Sequence, residues 1–83
     1  MIIRSQDKKV IMNFNNIDTI DVRDKQVRYF ANGGVETMGL LGTYSTEEKS
    51  IKVLDMIAQN YVESEKHIIR RVFEMPQDDE VKV

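Results

Sequence analysis

Along the first half of the chain, apolar side chains recur at every second position in short runs broken by turn-forming residues. Residues 2–6 (IIRSQ) and 10–14 (VIMNF) read as two strands around the polar turn Asp7-Lys8-Lys9, with Val10, Met12 and Phe14 alternating with Ile11 and Asn13. Asn15-Asn16 is a turn signal, because Asn tolerates left-handed backbone and bonds its own main chain. Residues 17–23 (IDTIDVR) predict a third strand, Asp24-Lys25 a tight turn, and residues 26–31 (QVRYFA) a fourth strand. Asn32-Gly33 is a strong hairpin signal, since a type I′ turn needs positive φ at both central residues. Residues 35–41 (VETMGLL) return as a fifth strand, in which Gly39 and Gly42 suggest a bulge or a close approach.

At Ser45 the period changes. Ser45-Thr46-Glu47-Glu48 has the form of a capping box, with the Ser45 hydroxyl taking the Glu48 amide and the Glu48 carboxylate reaching back. At about 100° per residue, Ile51, Leu54, Ile57, Ala58, Tyr61 and Val62 fall in one arc, with Val53 at its edge. Lys49, Lys52, Asp55, Gln59 and Glu63 fill the opposite side, and Met56 stands alone among them. The pattern predicts a helix from about Thr46 to about Glu65. "HIIRRVFEM" (67–75) fits either a strand or a helix extension. Its β-branched and aromatic content and the stop at Pro76 favour the strand. The fold class expected is α+β: an antiparallel meander of about five strands, one amphipathic helix on one face, and an extra strand after the helix. Residues 1–76 form a single domain in this reading. Residues 77–83 (QDDEVKV) are an acidic tail expected to be mobile, because two valines offset too little of the entropy of ordering seven residues.

Composition narrows function mainly by exclusion. The chain has 83 residues, enough for one small domain. It has no cysteine, so neither a disulfide framework nor a thiolate metal site is available. No apolar run is long enough to span a membrane and the first ten residues lack a signal-peptide core, which implies a cytoplasmic protein. Residues 1–44 carry six basic and five acidic side chains and residues 45–83 carry six and nine, so neither half is a polycation for nucleic acid or anionic lipid.

No set of residues has the spacing of a known chemistry. His67 is the single histidine and has no second nitrogen or sulfur ligand nearby in sequence. Asp18, Asp21 and the run Asp78-Asp79-Glu80 lack the spacing of a calcium loop, and the glycines form no phosphate-binding loop. Ser5 and Ser45 lack a nucleophile-elbow context. The expectation is a non-enzyme with no metal and no cofactor. Its function is expected to be protein interaction, with an unknown partner or by self-association. The candidate residues are Met56, Val53, Val72, Phe73 and Met75. The alternative is weak nucleic-acid binding through the basic, aromatic hairpin 23–30, using Arg23, Lys25, Arg28, Tyr29 and Phe30.

"IRSQDKK" (3–9), "LGTYSTEEKSIKVLDMI" (41–57) and "VFEMPQDDEV" (72–81) resemble a family of small, uncharacterised bacterial proteins. Its members come from low-GC Gram-positive bacteria and are partly phage- or prophage-associated. The resemblance spans nearly the whole chain and implies a single-domain cytosolic protein, with no substrate attached. A strand meander followed by a helix also looks loosely like a truncated pleckstrin-homology-like module, which would carry fold and not function.

Overall fold

The computed structural model describes residues 1–31, 37–67 and 71–83. The strands are β1 (Ile2–Arg4), β2 (Ile11–Asn13), β3 (Ile17–Arg23), β4 (Gln26–Ala31), β5 (Thr37–Thr43) and β6 (Val72–Glu74). One helix, α1 (Glu47–His67), lies between β5 and β6. The class is α+β as expected, with the helix on a sheet and a strand after it. The strands, however, divide over two three-stranded sheets, in the orders β2-β1-β6 and β3-β4-β5. The break falls at Asn13–Asn16. There the Asn13 side chain accepts from the Asn15 amide at 3.0 Å and a 3-10 turn follows, so β2 never pairs with β3. β6 pairs parallel with β1, setting Phe73 beside Ile3, a pairing that sequence order does not reveal. The turns expected at Asp7-Lys8-Lys9 and Asp24-Lys25 form, with left-handed backbone at Lys8 (φ 65°) and Asp24 (φ 56°). The Asn32-Gly33 turn lies outside the described residues, as do Ile68 and Ile69.

The glycine expectations for β5 hold in both forms. A register shift between Val27 and Arg28 makes the bulge, leaving Leu41 as the extra residue. At Gly39 the Tyr29 ring lies across the backbone so closely that a Cβ there would collide with the ring. β5 then runs to Thr43, two residues beyond the expected end.

The helix meets the core along a different line from the one its apolar arc predicts. Val53 and Ile57 are buried, with Ser50 and Ser64 above and below them. Ile51 and Val62, expected inside, are 45% and 47% exposed. At 100° per residue the buried stripe lies about 100° from the centre of the expected arc. The cause is the second sheet. One flank of α1 lies along β3 and the turn before it, with Tyr61 against Phe14 (ring centroids 5.0 Å), and on the other flank Met56 packs against the core and shares a groove with Phe73 of β6. Contact on both flanks makes the middle line, Val53–Ile57, the core line.

The start of the helix also differs from the expectation. Thr46 is the cap: its Oγ1 accepts from the Lys49 amide at 3.1 Å. Ser45 sits one position outside, and its amide donates to Asp78 Oδ1 at 2.7 Å. That contact corrects the reading of the tail. Residues 77–83 fold back onto the domain: Lys49 Nζ donates to the Asp78 carbonyl at 3.0 Å, Gln77 donates to the Gln6 carbonyl at 2.9 Å, and Val81 is only 4% exposed. The domain core is therefore Ile3, Val27, Leu41, Tyr44, Val53, Ile57, Phe73, Met75 and Val81. It is assembled from both sheets, the helix and the tail.

Candidate interaction site

The residues first expected at an interface separate into three places. Val53, Phe73 and Met75 are core, each less than 8% exposed, and are corrected from surface to interior. Val53 falls inside because the buried stripe is rotated toward it. Phe73 and Met75 fall inside because β6 is clamped beside β1, with the Met75 amide donating to the Arg4 carbonyl at 3.0 Å. Met56 is half-buried rather than stranded on a polar face. It lines an open groove of about 420 Å³ with Phe73, rimmed by Lys52, Asp55 and Gln59. Val72 alone is well exposed, at 57%, on the outer face of β2-β1-β6 near Ile2 and Ile11. That face is three residues deep and is crossed by the Arg4–Glu74 ion pair (3.5 Å), so its apolar area is small.

The hairpin 23–30 is likewise split by strand alternation. Arg23 and Lys25 are exposed at the β3–β4 turn. Tyr29 points to the inner face, over Gly39. Arg28 and Phe30 point outward, so the aromatic pair does not share a face. Arg28 is also engaged: Nε and Nη2 donate to the two carboxylate oxygens of Asp21 at 2.9 and 2.7 Å. The guanidinium carbon stands 5.2 Å from the centre of the Phe30 ring. Hydrogen bonding to Asp21 raises the Arg28 pKa above its ordinary value despite desolvation. A charge held in this way is poorly placed to take a phosphate.

What Arg28 and Phe30 join is an outward sheet face that the sequence reading missed. Ladder partners share a face, so the pairings place Thr19, Phe30 and Met38 in one row and Asp21, Arg28 and Leu40 in the next. Met38 is 58% exposed and Leu40 48%. The Arg28 side chain is only 16% exposed because Asp21, Phe30 and Met38 surround it. Met, Phe and a pre-positioned Arg are the residue types enriched where proteins dock. The available signal was the alternation of Met38 and Leu40 against Gly39.

Ser5, Asp7, Tyr44 and Asp78 have structural duties. The Ser5 hydroxyl donates to Asp7 Oδ1 at 2.6 Å and accepts from the Val10 amide, closing the β1–β2 turn. Bonds from Ser5 and from the Lys9 amide hold the Asp7 carboxyl below its usual range. The Tyr44 hydroxyl donates to the Pro76 carbonyl at 2.8 Å, and burial, with Asp78 and Glu80 nearby, pushes the phenol far above its ordinary pKa. The Ser45 amide is the main reason that Asp78 titrates below the usual carboxylate range. Among the described residues no three acidic or imidazole groups converge as for a metal ion. No helix among them is long and apolar enough to cross a membrane. No family model, curated protein or solved structure matches the chain.

Proposed function

We propose that this protein is a small, non-catalytic interaction module that docks another protein chain on the outer face of β3-β4-β5. One observation carries the reading. On that face Phe30, Met38 and Leu40 surround an Arg28 already neutralised and oriented by Asp21. The inner face of the same sheet holds the fold together. The outer face contributes nothing comparable to the core, so its apolar side chains are available to a partner. The hydroxyls and carboxylates with perturbed titration are engaged in turns, a helix start and a core contact, which fits a binding role better than catalysis. The test is retention from a cell lysate by the immobilised full chain. Leu40→Asp should abolish retention that wild type shows, while Val72→Asp, on the other sheet, should leave it intact. Retention insensitive to Leu40→Asp would refute the assignment of the face.

A further inference from the structure

Resting on that assignment of the face, we infer that its occupant includes a second copy of this chain, stacked sheet on sheet about a two-fold axis that crosses the strands. The symmetry of the side-chain rows is the reason. When two sheets stack with their strands aligned, a two-fold axis in the plane between them runs close to the strand direction or close to perpendicular to it. Along β4, it would set Arg28 against Arg28 of the other copy. Across the strands, midway between the two rows, it exchanges the rows and keeps each strand over itself. Arg28 then meets the partner copy's Phe30 ring, Leu40 meets Met38, and Asp21 meets the Thr19 hydroxyl, each contact occurring twice. Every meeting is favourable in kind: cation on ring, aliphatic on thioether, hydroxyl to carboxylate. The Asp21–Arg28 pair within each copy leaves the centre of the face neutral, so a chain of net charge −2 is not repelled there.

The dimensions set the strength. Three strands about 4.8 Å apart and about seven residues long give a footprint of roughly 14 by 23 Å. That is below the approximately 800 Å² per partner of a stable complex, so a weak, reversible dimer is expected.

Sedimentation equilibrium of the full chain from about 10 μM to about 1 mM brackets such an affinity. The mass should climb from 9.7 kDa toward twice that value. Leu40→Lys and Met38→Glu, both at exposed positions that should tolerate change, should each weaken association at least about tenfold by facing a charge onto an apolar group. An equimolar mixture of the two variants should regain it, because Lys at 40 then meets Glu at 38 across the interface. Val72→Lys should associate as wild type does. A wild-type chain that stays at 9.7 kDa overturns the inference, as does a mixture no stronger than its components. If the chain stays monomeric but lysate capture still depends on Leu40, the self-pairing falls and the docking face stands. If both fail, the face itself is wrong.

Discussion

Replacing Val81 by Ala tests the packed tail, the feature furthest from what composition suggests. Val81 is 4% exposed and belongs to the core, whereas Val83, two residues on, is 70% exposed. The substitution removes two methyl-sized groups. At about 0.8 kcal/mol each their transfer is worth about 1.6 kcal/mol, and a cavity that closes only partly brings the expected cost to about 2 kcal/mol. For a domain of this size that corresponds to a fall in Tm of roughly 8–16 °C. Urea unfolding followed by circular dichroism measures it, with Val83→Ala as the control expected to change stability by less than about 0.5 kcal/mol. A Val81→Ala cost no larger than the control's would mean that the tail does not complete the core in solution. Deletion of residues 77–83 should then also be harmless. On the present account deletion costs more than Val81→Ala alone, because it also removes the Asp78 acceptor from the Ser45 amide.

Three further outcomes follow from the geometry. Thr46→Ala should cost about 1 kcal/mol of stability and Ser45→Ala clearly less, read by the same denaturation; the reverse order would restore Ser45 as the cap. Gly39→Ala should cost about 1–3 kcal/mol in wild type, because the Tyr29 ring must swing away, and much less in a Tyr29→Leu background. Equal costs in the two backgrounds of that double-mutant cycle would show that the ring is not the obstacle. Stability against pH should have a shoulder at each end. Asp7 and Asp78 are lowered in the folded state, so their contribution is present above about pH 4 and lost as pH falls through their folded values. Tyr44 is raised, so its contribution is complete below pH 10 and lost as pH rises beyond it. Tyr44→Phe should flatten the alkaline side, and an unchanged slope there would assign the loss elsewhere.

Local features were legible in the sequence where short-range physics decides them. β3 and β4 fall on the expected residues because alternation and turn residues bound them on both sides. The bulge in β5 was visible in its glycines. Long-range pairing was not legible: nothing local says that Val72–Glu74 seeks β1 in parallel, or that Asp78 finds the amide of Ser45. Those two contacts account for most of the site corrections. The first buries Phe73 and Met75 and, by bringing a second sheet to the helix, moves Val53 inward. The second anchors a tail whose composition suggested mobility. The proposed docking face was half legible. Charge and aromaticity mark Arg28 and Phe30 in the sequence, and strand alternation separates them from Tyr29 and joins them to Met38 and Leu40 across the ladder.

The most direct measurement is an amide NMR dilution series of the full chain. Shifts that move with concentration should centre on Thr19, Asp21, Arg28, Phe30, Met38 and Leu40, and leave the outer face of β2-β1-β6 and the Met56 groove still. Shifts centred on Ile2, Ile11 and Val72, or on the groove beside Met56, would contradict the placement of the interaction surface on β3-β4-β5.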